Sequence, residues 1–503
     1  MQYAEDDEYT RWCTSLGYQI QYVPESAAMH SHNYTAAQAR KRAAGDAKAL
    51  AATYPGPASD FSWMKTVALG CAADFRKDLR WMLAHGKARG LLHAARIRWA
   101  QRNGRLEGFR QGWQDYQREA STCAPPPPRY ARGGSDALEK RLAETCEELG
   151  RAVRGIVPAD RLQALVLAGG YGRGEGGVLA TPEGDAPYND LEFFLLIDGP
   201  PRLNEKRYGP AIHGLEQRFT PLIGIDVEFK ITSLSKIEHG PTPMFYYDLV
   251  SGHQVVTGAP DILKNCARHR DAGRIPQHEA TRLLLNRCSG LLYAAERLTK
   301  PDFSQEDLGF TARNIAKAQL ALGDVVLAAL GQYHWSCLEL HQRLTKITDS
   351  ALPLPELLAF HETGVTFKLH PAPSHATHQS LTTLHAQVSA AAWSVWAWLE
   401  SNRLATSFAS PVAYATGGLN KCPETHPLKN ALLRLRTFGP RSLTGPDRFR
   451  YPRESLLNTL PLQLWARDSV AAYLPFLSLQ LGSPIASWQD ALPAYTRLWS
   501  RYN

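Results

Sequence analysis

The 503-residue chain lacks any uninterrupted apolar run close to the ~20 residues that a membrane-spanning helix requires. Its first residues, MQYAEDDEYTRW, have neither the basic start nor the apolar run of a secretory signal, which predicts a cytoplasmic protein. The eight cysteines stand singly, without a C-x-x-C pair. This spacing argues against metal knuckles and disulfide frameworks, and we interpret the cysteines as reduced, mostly buried residues.

What the chain does have is the composition of a globular protein, with 44% apolar and 21% charged residues. Its length predicts two or three domains rather than one core. The formal net charge of +8 is concentrated between Arg76 and Arg110, where ten basic residues oppose two acids. With Trp81 and Trp99 interleaved, this segment predicts an anionic partner, either nucleic acid or a membrane surface. A solvated face of a helical module is the alternative.

The organisation of the chain follows from changes in its composition. Residues 1–122 contain few strand formers and are predicted to be a helical, basic N-terminal module. Residues 123–136 hold four consecutive prolines and then glycines, and are predicted to be a linker. Residues 137–262 interleave helix and apolar strands, which indicates an α/β domain. Residues 276–503 return to helical patterns.

Within these regions the periodicity predicts individual elements. A helix is expected at Ala137–Val157, and strands are expected at Leu162–Ala168, Phe193–Ile197 and Ile223–Ile231. The C-terminal helices are predicted at His278–Leu298, Glu306–Leu330, His378–Leu404, Leu462–Leu474 and Gln489–Tyr502. The fourth should end before Pro475, and Thr416–Arg453, rich in Gly, Pro and Arg, is predicted to be a long loop.

The chemistry is predicted to lie in the segment Leu165–Gly199. An apolar strand there ends in Gly169-Gly170, and Asp190 and Glu192 come just before the next apolar strand. Residues i and i+2 of a strand share a face, so both carboxylates point to the same side of the sheet. Two carboxylates placed in this way repel each other unless a cation lies between them. Paired Mg²⁺ ions, roughly 3.5–4 Å apart, are the usual solution in phosphoryl chemistry.

Two further features support that prediction. Glycines at a strand-to-helix turn allow phosphates to approach backbone N–H groups. Downstream, Asp226 and Glu228 share a strand face, and either could complete a metal site from a neighbouring strand.

This segment resembles the polymerase-beta-type nucleotidyltransferase superfamily, whose small members show a strand, then Gly-Ser or Gly-Gly, a turn of the A-R-G-E type, and Asp-x-Asp or Asp-x-Glu opening the next strand. Gly169 and Gly170 match the Gly-Ser position, Arg173-Gly174-Glu175 matches the turn, and Asp190 and Glu192 match the metal pair. Asp226 matches the third acid. The likeness continues through Tyr247–Gly258 and covers about a quarter of the chain.

The resemblance implies an α/β (α+β) core with a mixed sheet, flanked by all-helical N-terminal and C-terminal domains. It implies two Mg²⁺ or Mn²⁺ ions and an NTP substrate. Asp190 would bridge both ions, Glu192 would hold the nucleotide-side ion, and Asp226, or alternatively Glu228, would hold the second. The backbone of Gly169 and Gly170 would bind the phosphates, with Arg173 as a helper.

The implied reaction is attack of an acceptor hydroxyl or phosphate on the α-phosphorus of the NTP, with release of pyrophosphate. The acceptor is open, and a small molecule or a sugar of surface polysaccharide metabolism is one hypothesis. Gly170 replaces the usual serine and Glu192 the commoner aspartate, so a catalytically idle nucleotide-sensing scaffold is a second hypothesis. An RNA-directed enzyme working through residues 1–122 is a third.

Two other motifs in the chain suggest different kinds of site. Gly172, Gly174 and Gly177 form a literal G-x-G-x-x-G, but Thr181-Pro182 stops any following helix, which disfavours a dinucleotide site. A histidine-rich tract invites a zinc hypothesis, but its irregular spacing and its prolines predict structural or loop histidines. Its members are His361, His370, His375, His378 and His385.

Overall fold

The computed structural model describes residues 34–53, 63–86, 90–122, 129–374 and 376–503. By its internal contacts the chain divides into two compact units, residues 1–125 and 126–503. The predicted α/β and C-terminal helical regions therefore lie in the same unit. Over the described ranges, none of the helices combines the length and the apolar character needed to cross a bilayer.

The first unit is helical wherever it is described. Its helices are α1 (Ala36–Thr53), α2 (Gly70–Ala84), which follows a π-helical segment at Met64–Leu69, and α3 (Leu91–Thr122). Gly104 and Gly108 of α3 lie against the backbone of α1, where a Cβ atom would collide with the carbonyl oxygens of Arg40 and Ala44. These two glycines let the helices cross closely.

The second unit begins with α4 (Asp136–Ile156), whose N-cap Ser135 accepts a hydrogen bond from the backbone of Leu138. A four-stranded sheet follows, built from β1 (Leu162–Leu167), β4 (Asp190–Ile197), β5 (Asp226–Thr232) and β6 (Gln254–Gly258). The spatial order is β5-β4-β1-β6, with β4 and β5 parallel and the other pairs antiparallel. The sheet is therefore mixed, as expected.

Two insertions separate β1 from β4. A one-turn helix, α5 (Gly169–Gly172), follows β1 directly. A separate two-stranded sheet then forms from β2 (Gly177–Thr181) and β3 (Gly184–Tyr188). This hairpin brings the chain back to the start of β4 at Asp190.

The central strands β1 and β4 are apolar on both faces because helices cover both sides of the sheet. One face packs against α4 and α6 (Pro201–Ile223). The other packs against α7 (Leu234–His239) and α8 (Met244–Ser251). The predicted third strand was placed too early, because Ile223 ends α6 and Gly224, at φ 87°, turns the chain before β5 starts at Asp226.

The rest of the unit is a helical domain built around one large apolar core. Its helices are α9 (Gln277–Arg297), α10 (Gln305–Ala329), α11 (Cys337–Leu344), α12 (Leu354–Leu369), α13 (His378–Leu404), α14 (Pro411–Thr416), α15 (Pro427–Phe438), α16 (Pro452–Leu464), α17 (Leu474–Leu481) and α18 (Trp488–Tyr502). Short 3₁₀ turns connect several of them.

Two predictions in this domain are wrong. A single helix at Leu462–Leu474 does not form; α16 ends at Leu464, a 3₁₀ turn follows, and α17 begins at Leu474. Pro475 lies in the first turn of α17, where the missing N–H costs no hydrogen bond. The predicted loop at 416–453 contains α15, which likewise begins at a proline, Pro427.

Candidate functional site

The acidic residues at the start of β4 and β5 form one cluster. In the parallel register Asp190 lies opposite Asp226, and Glu192 lies opposite Glu228. Asp190, Glu192 and Glu228 each offer one carboxylate oxygen, and these oxygens lie within 4.8 Å of one another. The described residues contain no other group of three or more metal-ligating side chains.

The third acid of the cluster is Glu228 and not Asp226, the residue that the resemblance favoured. Asp226 lies on the same strand face, at the exposed start of β5, but its carboxylate is outside the group. The side chain of Glu228 is one methylene longer and reaches the other two acids from the next position along the same face.

The cluster places like charges together with only partial compensation. Burial, followed by the charges of Glu192 and Glu228, raises the pKa of Asp190 to about 6, against the opposing charges of Lys317 and Lys230. Lys230 Nζ lies 2.9 Å from Glu192 Oε1. This ion pair offsets part of the negative charge of the cluster.

The glycine corner after β1 lies directly against this cluster. Gly169 has φ 63°, and a Cβ atom at this position would lie 2.8 Å from Glu192 Oε2. The backbone N–H of Ala168 donates a 2.8 Å hydrogen bond to the carbonyl of Glu192. A side chain at this position would displace the Glu192 carboxylate, and the left-handed backbone favours glycine. The structure therefore brings the predicted Gly169-Gly170 corner and the acids together.

The charged residues of the turn hold this corner in place. Arg173 Nη1 lies 3.2 Å from Asp248 Oδ2, and the Tyr333 hydroxyl also donates to that oxygen. Buried Glu175 accepts hydrogen bonds from Ser336 Oγ at 2.5 Å and from the Cys337 backbone N–H at 3.0 Å. Arg173 and Glu175 therefore anchor the turn to α8 and to the start of α11, rather than pairing with each other.

A cavity of about 480 Å³ opens beside the corner and the acids. The sheet side contributes Gly169, Gly170, Arg173, Asp190 and Glu192. The helical domain contributes the facing wall, including Arg287 of α9, Lys317 and Asp324 of α10, and Phe367 and Lys368 of α12. The helical domain thus completes a cleft that the α/β part alone would leave open.

Two cations on the facing wall have no acidic partner among the residues that the structure describes. Burial lowers the pKa of Arg287, against the charge of Asp324. Burial and the neighbouring Arg287 lower the pKa of Lys317, against the charge of Asp190. A cationic wall facing an acidic cluster across one cavity suits a ligand that carries both metal-binding and cation-binding oxygens.

A hydrogen-bonded chain runs from the same wall through the helical domain. Asp324 Oδ1 lies 3.0 Å from Nε2 of His361, and His361 Nδ1 lies 3.2 Å from Nδ1 of His341. His361 is fully buried. His361 therefore links Asp324 to His341, and Asp324 itself lines the cavity.

The predicted histidine tract forms no metal group within the described ranges. His378 and His385 bond through Nε2 to the carbonyls of Leu298 and Leu291, which is a structural role. His375 lies outside the described residues.

Arg287, Lys317 and Asp324 were missed at the sequence level. They lie singly in helical patterns, with no spacing that marks a site, and only the packing of α9 and α10 brings them to the cavity. Comparisons of the chain with protein-family models, with curated proteins and with solved structures found no match in any of the three. The chemistry of the site has to be inferred from its own residues.

Proposed function

We propose that this protein is a metal-dependent nucleotidyltransferase that moves an NMP from an NTP to an acceptor hydroxyl or phosphate, releasing pyrophosphate. The observation that carries the proposal is the convergence of Asp190, Glu192 and Glu228 beside the Gly169-Gly170 corner. It joins, in space, the two features on which the resemblance to the polymerase-beta-type superfamily depends.

The carboxylate cluster suits divalent metal ions. Hard carboxylate oxygens are the ligands that Mg²⁺ and Mn²⁺ prefer, and the repulsion that raises the pKa of Asp190 to about 6 would be relieved by a bound cation. Asp190, Glu192 and Glu228 would hold the ions, with Asp226 at the rim of the site. Bound there, two ions would neutralise charge on the reacting phosphate and orient it.

The remaining groups of the cavity suit a triphosphate. Gly169 and Gly170 line the cavity without side chains that would block a phosphate, and Arg287 and Lys317 supply positive charge from the opposite wall. Arg173 lines the same cavity, but Asp248 neutralises it, so its contribution is to fix the corner against which the phosphates lie. A cytoplasmic location, where NTPs and Mg²⁺ are abundant, fits this substrate.

The acceptor would enter from the helical side of the cavity, where Asp324 and Tyr333 offer hydrogen-bonding oxygens and Phe367 offers an apolar surface. These groups suit a small molecule that carries hydroxyl groups, such as a sugar. Catalysis would consist of positioning and charge neutralisation, with no covalent intermediate on the protein.

The test uses the full chain with each α-labelled NTP and Mg²⁺ or Mn²⁺, scoring pyrophosphate release and the species that becomes labelled. Asp190→Asn is expected to reduce turnover by at least about 100-fold, because it removes a ligand charge at the reacting phosphate. Asp198→Asn is the matched control, since Asp198 is an exposed aspartate just beyond the other end of β4. Full activity in Asp190→Asn would refute the proposal.

One observation favours a second candidate, a nucleotide-binding protein without turnover. Lys230 Nζ forms an ion pair with the Glu192 carboxylate. The lysine ammonium group therefore supplies part of the positive charge that a metal ion would otherwise supply. Mg²⁺-dependent nucleotide binding without pyrophosphate release in the wild type, together with release in Lys230→Ala, would favour this candidate.

A further inference from the structure

The acids of α2 are turned toward α3 and neutralised there. Asp74 accepts a 2.8 Å hydrogen bond from Arg102 Nε, and Asp78 accepts a 2.9 Å bond from Arg98 Nε. Their side chains are only 19% and 16% exposed. The negative charge of this segment is therefore held inside the helix pair.

The basic residues of the same segment point the other way. Arg76, Lys77 and Arg80 of α2 and Arg96 of α3 are exposed. Within the part of the chain that the structure describes, none of these four forms an ion pair with an acid. The outer surface of the helices is thus positive, although the buried contacts between them are balanced.

Large apolar side chains share this outer surface. Seven of the sixteen exposed large apolar residues in the described ranges fall between positions 63 and 99. They are Trp63, Leu69, Phe75, Trp81, Leu83, Leu92 and Trp99. No residue of α2 is buried, whereas a helix of a globular protein ordinarily buries an apolar stripe.

The positive and apolar groups also occur together along single helix faces. Leu92, Arg96 and Trp99 follow at i, i+4 and i+7 on α3, and Leu83 follows Arg76 and Arg80 at the same spacing on α2. We define the basic–apolar face as the exposed side chains Arg76, Lys77, Arg80, Leu83, Leu92, Arg96 and Trp99.

We infer that the basic–apolar face docks on a membrane surface rich in anionic lipid. Positive charge attracts the headgroups, while leucine and tryptophan side chains enter the interface between headgroups and acyl chains. A nucleic acid would satisfy the arginines and could stack on Trp99, but its phosphates and sugars offer no apolar environment to Leu83 (68% exposed) or Leu92 (79% exposed). The inference is independent of the nucleotidyltransferase proposal.

The first test is sedimentation of the full chain with vesicles of phosphatidylcholine alone and with vesicles containing 30% phosphatidylglycerol. Binding is expected only to the anionic vesicles and should weaken with added salt. Each basic residue near such a surface strengthens binding about fivefold, so the triple variant Arg76→Glu, Lys77→Glu, Arg80→Glu, which also adds repulsion, should bind at least about 100-fold more weakly. The control, Arg202→Glu, Lys206→Glu, Arg207→Glu, changes three exposed basic residues of α6.

The second test separates lipid insertion from simple charge attraction. Leu83→Ser with Leu92→Ser should weaken vesicle binding by at least about tenfold, because both side chains lose apolar contact. Leu428→Ser with Leu479→Ser is the matched control, with leucines 71% and 68% exposed elsewhere in the chain. Helix content by circular dichroism should be unchanged in all variants, since the altered side chains are exposed.

Three results would overturn the inference. The first is equal binding to neutral and anionic vesicles, or to neither. The second is unchanged vesicle binding in the leucine double variant. The third is tighter binding to a 20-nucleotide uridine RNA than to the anionic vesicles at the same salt concentration, which would assign the face to nucleic acid.

Discussion

The two units of this protein differ in how the charges of their acidic side chains are compensated. In the N-terminal helices each acid of α2 has its own arginine, as in the pair Asp74–Arg102, and the outer surface is left positive. At the start of β4 and β5 in the second unit, oxygens of three carboxylates lie within 4.8 Å of one another, and among the described residues only Glu192 of the three forms an ion pair, with Lys230. Ion pairs between helices neutralise the acids that they include. A cluster of carboxylates without such partners is typical of a site where a bound ligand supplies the opposite charge.

The difference appears in the pKa values of single carboxyl groups. The hydrogen bond from Arg102 lowers the pKa of Asp74, while burial and the neighbouring acids raise the pKa of Asp190 to about 6. One carboxylate is stabilised by its surroundings and the other is destabilised. The comparison therefore predicts that changes in the two regions will act on different measurable quantities.

The largest effect is expected at the third acid of the cluster, where substitutions of Glu228 and Asp226 can be compared. Glu228→Gln should reduce Mg²⁺-dependent NTP turnover by at least about 100-fold, because it removes a carboxylate from the cluster. Asp226→Asn, on the same strand and face but outside the cluster, should reduce turnover by less than about fivefold. Steady-state rates of pyrophosphate release measure both, and the reverse order would show that Asp226 is the ligand.

A smaller effect is expected at the cationic wall. Lys317→Ala should raise KM for the NTP by about tenfold, the loss of one charge-assisted contact, with a smaller change in kcat. Lys429→Ala, an exposed lysine of α15 away from the cavity, is the matched control. An unchanged KM in Lys317→Ala would place the triphosphate elsewhere in the cavity.

The raised pKa of Asp190 predicts a pH dependence of metal binding. Below pH 6 a proton competes with the metal, so affinity for Mn²⁺ should fall by up to about tenfold per pH unit and level off above pH 6. Because the folded state holds this proton more tightly than the unfolded chain, the metal-free protein should lose stability as the pH rises from about 4 to about 6. Titrations with Mn²⁺ measure the metal affinity, and titrations with denaturant measure the stability of the metal-free protein. In Asp190→Asn both quantities should lose this dependence on pH.

The smallest effect is expected in the N-terminal unit. Asp74→Asn should lower the free energy of unfolding of this unit by less than about 1 kcal/mol, since partly exposed ion pairs contribute little. The pKa of Asp74 is lowered in the folded state, so its contribution is present at neutral pH and is lost as the pH falls through the folded pKa. NTP turnover should be unchanged; a loss comparable with that of Glu228→Gln would contradict the comparison.

Much of the local structure was predictable from the chain itself. The apolar runs of β1 and β4, the helices α9, α10, α13 and α18, and the glycine corner follow from short-range patterns. Errors occurred where a proline begins a helix instead of ending one, as at Pro427 and Pro475, because the residue alone does not tell which end of a helix it marks.

The sequence by itself determined that Asp190 and Glu192 lie on one face of a strand, because the side chains of a strand alternate with a period of two. Only the tertiary structure decided that Glu228 and not Asp226 joins them, since that choice depends on the parallel register of β5 and the reach of the side chain. The same holds for Arg287 and Lys317, because long-range packing of helices brings them to the cavity and no local pattern encodes that packing.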